Sequence, residues 1–255
     1  MPWVWVGVFG VVALAAAAQA VSGFGFALIG TPFVAVLVGP REAVVGLTMI
    51  GLVLVAQLSL RGRGHVDRPT VGVVTAAAIL GMPLGLVVLV LANDRVLTFA
   101  IAIAVIAFSL LLWRGARVPA GRGTDAAAGF AAGILSTSTG TSGPPIVIAL
   151  SAKQLEPAVF RATISAIFLV QGSASLVFFA IGGQITREAV SVALAGLPGV
   201  VVGSIVGERA EIGADCDVRG LSVVGPGAKV GDRNMLDHGM RVGADETIGA
   251  GAVSF

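Results

Sequence analysis

The chain has 255 residues, 56% of them hydrophobic and only 12% charged, with a formal net charge of +2 and a mean hydropathy of +0.98. This excludes an ordinary soluble domain, and the single Cys216 excludes an intramolecular disulfide and a cysteine metal cluster. Charge is unevenly divided: residues 1–210 carry 12 Lys+Arg against 7 Asp+Glu, whereas 211–255 carry 4 against 7, and no basic patch interleaved with aromatics points to nucleic acid.

The chain opens on Met1-Pro-Trp-Val-Trp-Val, which lacks the cationic start of a secretory signal and runs on past a signal's length. It reads as a first membrane segment with Trp3 and Trp5 at the interface. A helix crossing the hydrocarbon needs about 20 apolar residues. The candidates are 3–38, 43–60, 69–91, 96–113, 126–152, 158–181 and 189–207, with no Asp, Glu or Lys well inside them and Arg161 at an edge. Arg61, Arg63 and Arg68, then Arg114, Arg117 and Arg122, make loops 61–68 and 114–124 cytoplasmic by the positive-inside rule.

Two of these segments are too long for one plain span, and each is interrupted. Residues 22–32 read Ser-Gly-Phe-Gly-Phe-Ala-Leu-Ile-Gly-Thr-Pro, and residues 136–145 read Ser-Thr-Ser-Thr-Gly-Thr-Ser-Gly-Pro-Pro. Glycine adds backbone freedom and proline removes a donor, so each run breaks its helix. Either break is one interrupted crossing or a hairpin that re-enters. Four crossings per repeat give parallel copies, and an odd number gives inverted ones.

The breaks belong to an internal repeat with an offset of about 114 residues. Pro32 falls on Pro145, Glu42 on Glu156, Gln57 with Ser59 on Gln171 with Ser173, the turn-like Gly81-Met-Pro83 near Gly196-Leu-Pro198, and Asp94-Arg95 on Glu208-Arg209. Repeat 1 covers about 3–113. Repeat 2, about 126–209, ends without a counterpart of the apolar run 96–113, so segment 189–207 is expected to lack the neighbour that 69–91 finds there.

Paired helix breaks in corresponding positions are the best sequence pointer to a transporter's central site, because irregular backbone at membrane depth must be buried in protein or line a watery cavity. Freed N–H groups and the helix N-termini after Pro32 and Pro145 suit a small anion. The candidate substrate-binding residues are Ser22, Gly23, Gly25, Thr31 and Pro32 in the first break, with Gln57 on a neighbouring span. In the second they are Thr139, Gly140, Thr141, Gly143, Pro144 and Pro145, with Gln171 on its neighbour, and Ser138 and Ser142 add hydroxyls. The plain alternative is that small residues serve close helix packing and the glutamines glue helices together. No catalytic residue, metal ligand or cofactor site is indicated.

Val21-Ser-Gly-Phe-Gly-Phe-Ala-Leu-Ile-Gly-Thr-Pro32 with Gly39-Pro-Arg-Glu42, and Gly133-Ile-Leu-Ser-Thr-Ser-Thr-Gly-Thr-Ser-Gly-Pro-Pro145 with Phe160-Arg-Ala-Thr163, resemble the two signatures of the TauE/SafE family of sulfite exporter-like membrane proteins. The resemblance covers roughly residues 5–209. It implies a lipid-embedded protein exporting or exchanging small anions such as sulfite, sulfoacetate or related organic anions, without an enzymatic reaction. The absent final helix departs from the family pattern.

From Ile212 an aliphatic residue recurs at every sixth position: Val218, Val224, Val230, Leu236, Val242 and Ile248. This is the hexapeptide signal of a parallel β-helix of little more than two coils. Val224-Gly-Pro-Gly-Ala and Gly249-Ala-Gly-Ala-Val253 resemble the hexapeptide tail of sugar-nucleotide pyrophosphorylases, although no nucleotide-binding domain precedes them. A lone His238 reads as a side chain outside the prism rather than a catalytic base.

The expected fold is thus an α-helical polytopic membrane protein of about seven spans, with two repeats, the second truncated, and a C-terminal parallel β-helix. Its units are a membrane transporter domain, 1–209, and a hexapeptide fragment, 211–255. The expected function is transport of a small anion through the two broken helices. The alternatives are a fusion or truncated chain without intact activity and, in a different class, a membrane-tethered hexapeptide transferase. Substrate identity, coupling ion and oligomeric state stay open.

Overall fold

A computed structural model describes residues 2–61, 66–114 and 118–208, and beyond them seven residue pairs and Gly249. The helices are α1 (Pro2–Ser22), α2 (Phe26–Val38), α3 (Pro40–Arg61), α4 (Arg68–Leu91), α5 (Asp94–Trp113), α6 (Arg122–Ser138), α7 (Gly143–Ser151), α8 (Pro157–Ile181) and α9 (Arg187–Glu208). Their boundaries follow local chemistry. Asp67 caps α4, accepting from the Thr70 hydroxyl at 2.5 Å, and Asn93 accepts from the Val96 N–H at 2.9 Å where α5 begins. Proline stands in the first turn of α4, α7 and α8, where its missing N–H costs nothing.

Both long apolar segments prove to be hairpins. Gly7 packs against Leu37 and Gly30 against Ala15, so α2 doubles back along α1. Gly30 also meets Leu47 and Gly51 meets Phe26, so α3 turns again and runs antiparallel to α2. Lys153, just after α7, reaches Asp125 in the first turn of α6, which closes the second hairpin in the same way.

Helix directions follow from the remaining contacts. Gly129 lies on Val74, Gly133 on Ala78, and the Thr137 hydroxyl donates to the Met82 carbonyl at 2.7 Å, so α4 and α6 run parallel. Thr163 of α8 accepts from the Asp67 N–H, bringing the start of α8 to the start of α4. Gly46 near the start of α3 meets Ala189 and Val192 near the start of α9. Hence α6 and α8 run opposite to α1 and α3. The principal partner of α1 is α9, that of α4 is α6, and α3 lies on α8 and α9.

Several expectations are corrected here. Among the described residues four helical segments, not seven, are long and apolar enough to cross a membrane: Pro40–Ser59, Arg68–Leu91, Asp94–Leu111 and Val159–Ile181. The segments 3–38 and 126–152 fail as single spans because each folds back, and at 13 and 9 residues α2 and α7 are too short to cross. Gly81-Met-Pro83 is no turn but lies inside α4. The principal neighbour of α4 is α6 rather than α5, which packs on α2, α3 and α7, so the missing counterpart of 96–113 does not deprive α9 of its main partner.

The expected β-helix is not found either. Beyond Glu208 the described residues form two-residue strands: β1 (Glu211–Ile212), β2 (Asp217–Val218), β3 (Val223–Val224), β4 (Lys229–Val230), β5 (Met235–Leu236), β6 (Arg241–Val242) and β7 (Thr247–Ile248). They pair in parallel in the orders β1-β4-β7, β2-β5 and β3-β6, with Glu211 opposite Lys229. No longer strand is among the described residues there, and so short a repeat supplies little apolar surface for a core of its own. Cys216 and His238 lie outside the described residues.

Two features fix the bundle. A Cβ added at Gly81, Gly85, Gly129 or Gly133 would collide with backbone of the facing helix, so α4 and α6 touch main chain to main chain. At the other extreme of polarity, Lys153 Nζ lies 2.7 Å from Asp125 and 2.5 Å from the Thr70 hydroxyl, with Asp67 at 4.0 Å. Asp125 is 2% exposed. This cluster ties the open end of the α6–α7 hairpin to α4.

Gly133→Leu should therefore cost about 3 kcal/mol or more in detergent unfolding. Gly123→Ala, where nothing lies within 4 Å, should change stability by under about 0.5 kcal/mol. Lys153→Met, which strands a buried carboxylate, should cost about 3–5 kcal/mol, most of it recovered in the Lys153→Met/Asp125→Leu double variant.

Candidate functional site

The turn between α1 and α2 rests on two left-handed glycines, Gly23 at φ 80° and Gly25 at φ 107°. Side chains rarely adopt that conformation. The first free N–H of α2, on Phe26, is taken by Gln19 Oε1 at 3.0 Å. The second turn uses Gly140 at φ 71°, after which Ser142 precedes α7 without capping it by its side chain.

The two turns and the helices around them enclose a cavity of about 670 Å³, counting its open mouth. It draws its wall from both hairpins: Gln19, Gly25, Phe26 and Thr31 from the first, and Ser136, Gly140, Thr141, Ser142 and Gly143 from the second. The middle of α3 contributes Val44, Thr48 and Gly51, and α8 contributes Phe168, Gln171 and Gly172. A Cβ at Gly140 would stand 3.4 Å from the Thr31 hydroxyl, so the second turn seats directly on α2.

Most of the polar side chains are engaged. Ser136 shares a 2.9 Å hydrogen bond with Ser175, Thr139 and Thr141 share one of 2.8 Å, and Thr48 donates to the Val44 carbonyl at 2.7 Å. Two are not. Thr31, 0% exposed, has no partner for Oγ1, and Gln171, 1% exposed, has none for either Oε1 or Nε2. A buried unmatched polar atom costs about 1–3 kcal/mol, so such groups call for an explanation outside the protein's own packing.

The candidate residues divide accordingly. Gly25, Thr31, Gly140, Thr141, Gly143 and Gln171 line the cavity, as does Ser142. Gly23 is buried at the first turn against Arg161, and Thr139, Pro144 and Pro145 are buried beside the second, none of them in the wall. Pro32 sits inside α2, which already begins at Phe26, so it does not open a helix as expected. Gln57, half-buried on α3, is not brought to the cavity although its repeat mate Gln171 is, and the Ser22 side chain lies outside the described residues.

Sequence reading missed Gln19, Thr48, Ser136 and Phe168. Gln19 carried a signal, as the one amide in an otherwise apolar α1, whereas Thr48 and Phe168 become visible only once α3 and α8 are placed around the turns. Among the described residues no group of three or more His, Cys, Asp or Glu is arranged to hold a metal.

A family described as "Sulfite exporter TauE/SafE" matches residues 8–214, and the chain belongs to it. No curated protein and no solved structure matches at a significant level. The family is one of transporters rather than enzymes, and its apolar helices fit a multi-pass membrane protein. The match stops at residue 214, and nothing supports the likeness of the tail to sugar-nucleotide pyrophosphorylases.

Thr31→Val keeps shape and removes a buried unpartnered hydroxyl, so its unfolding stability should equal the parent's or exceed it by up to about 1–3 kcal/mol. Ser175→Ala, which strands Ser136, should cost about 1 kcal/mol or more. Denaturation of both in one detergent checks the contrast.

Proposed function

We propose that this protein exports or exchanges a small anion, sulfite or a related organosulfur or organic anion, across a membrane, holding it in the cavity between the two hairpins. The observation that carries the reading is Gln171, whose two amide atoms are buried, unpartnered and part of the wall that both hairpin turns complete. A transported solute would supply intermittently the partners that the protein's own groups do not.

The arrangement of the helices supports the reading. The contacts α1 with α9 and α4 with α6, and the opposed directions of α3 and α8, are compatible with two copies inserted in opposite senses. Each hairpin returns to its starting side, leaving α3, α4 and α5 as the odd number of crossings that inversion requires. Inverted repeats with broken helices at their interface are a recurrent plan for alternating access. Helices α4 and α6 begin at one end of the bundle, where Asp67 and Asp125 meet Lys153, and the arginines in the sequences 61–68 and 114–124 favour the cytoplasm for that end.

Reconstituted in liposomes, the full chain should move sulfite. Gln171→Leu should cut that flux at least about tenfold while leaving thermal stability equal or higher, since a buried unmatched amide is replaced by an apolar side chain of similar size. Parent-level flux from Gln171→Leu would remove the cavity from the transport path, and no flux from the parent chain would remove the reading.

A further inference from the structure

The chemistry of the wall narrows what the cavity accepts, on the reading just given. None of the residues lining it is charged. The titratable groups on the surrounding elements stand elsewhere: Arg41 and Glu42 in the first turn of α3, Arg68 at the start of α4, Asp67 before it, Arg122 and Asp125 in the first turn of α6, and Lys153 after α7. Arg61 ends α3, and Arg161 on α8 is exposed, its stem beside Gly23. The α1 and α2 sequences have no titratable side chain at all. A doubly charged solute would enter a low-dielectric space with no cation in its wall, and the cost of burying charge rises steeply with its magnitude.

The backbone offers only part of what two helix starts normally give. A helix N-terminus is the usual neutral device for holding an anion. Here Pro144 and Pro145 strip two of the first amides from α7, and Phe26 N–H of α2 is already committed to Gln19. Among the buried side chains of the wall the unpartnered ones are Thr31 and Gln171, and an amide is both a donor and an acceptor. Whichever way the Gln171 amide is turned, one atom seeks an acceptor and the other seeks a donor. A fully deprotonated oxyanion offers acceptors only and would leave the amide oxygen unmatched and facing negative charge. An oxyanion that keeps one hydroxyl satisfies both ends of the amide at once.

We infer that the cavity selects a singly charged oxyanion that still carries an O–H, with Gln171 donating to its oxyanion edge and accepting from its hydroxyl. The pH dependence of binding then belongs to the solute, not to the protein, and any proton that moves crosses on the solute.

Methylphosphonate and methanesulfonate separate the terms. They are close in shape, but only the methylphosphonate monoanion retains an O–H, which it loses as pH rises, whereas methanesulfonate stays singly charged without one. Binding to the purified full-length protein should favour the methylphosphonate monoanion by at least about fivefold, the lower end of what one unmatched buried polar atom costs. Its affinity should fall as the dianion replaces it, while methanesulfonate affinity stays flat, and Gln171→Leu should level the two probes. Methylphosphonate binding no better than methanesulfonate, or binding better as its second proton leaves, overturns the inference even with the parent chain alone. If sulfite still binds in that case, the anion-transport reading stands. Absence of binding by methylphosphonate, methanesulfonate and sulfite together overturns both.

Discussion

A helix broken inside a bilayer must find partners for its freed backbone groups within the protein, because lipid offers none. That constraint organises this molecule. The glycine turns at 23–25 and 139–142 stand among helices rather than at loops in water, so every neighbour of a turn is there to bury it or to bound the space it opens. Gln19 shows the first solution, spending its amide oxygen on the first N–H of α2. Ser138 and Thr139 show the second, their hydroxyls donating to the Ile134 and Leu135 carbonyls where α6 ends. What these devices leave unmatched, Thr31 and Gln171, faces the cavity.

Packing supplies the rest of the frame. In lipid, helices gain little by hiding apolar surface from one another, so association relies on close contact. Gly129 and Gly133 against Val74 and Ala78 bring α6 onto α4 at backbone distance, and Gly199 does the same for α9 on Phe9 of α1. Outward faces stay apolar for the lipid: Leu80, Leu84 and Leu91 on α4, and Phe99, Ile103 and Ile106 on α5, are all exposed.

The sequence disclosed the helical class, the two breaks and the family, because each rests on local chemistry: apolar runs, glycine, proline and a signature. It did not disclose how the breaks resolve. Gly-Phe-Gly-Phe and Thr-Gly-Thr-Ser-Gly-Pro-Pro are compatible with an interrupted crossing or a re-entrant turn, and the choice depends on contacts such as Leu37 on Gly7 and Lys153 on Asp125, which join residues far apart in the chain. The expected repeat offset does not carry over to role. It pairs Gln57 with Gln171, and only Gln171 reaches the cavity; it pairs Pro32 with Pro145, which occupy different places in α2 and α7. Asp125, at the edge of its apolar run, gave no hint of its burial. The six-residue period of the tail led to the expectation of a packed β-helix, and what is described there is a set of two-residue strands that recur with that period.

The departure from symmetry between the hairpins bears on how such a cavity opens. The α6–α7 hairpin is pinned at its open end by Lys153, Asp125, Thr70 and Asp67, a charged cluster whose separation would strand a carboxylate that is 2% exposed. The α1–α2 hairpin meets its neighbours, among the described contacts, through apolar and glycine surfaces: Gly7 on Leu37, Gly30 on Leu47, Phe26 on Gly51. Sliding such surfaces forfeits dispersion contacts gradually, whereas pulling a buried ion pair apart meets its cost at once. On these contacts the first hairpin is the more weakly fastened of the two, and the second, with its ion pair, is the more firmly held.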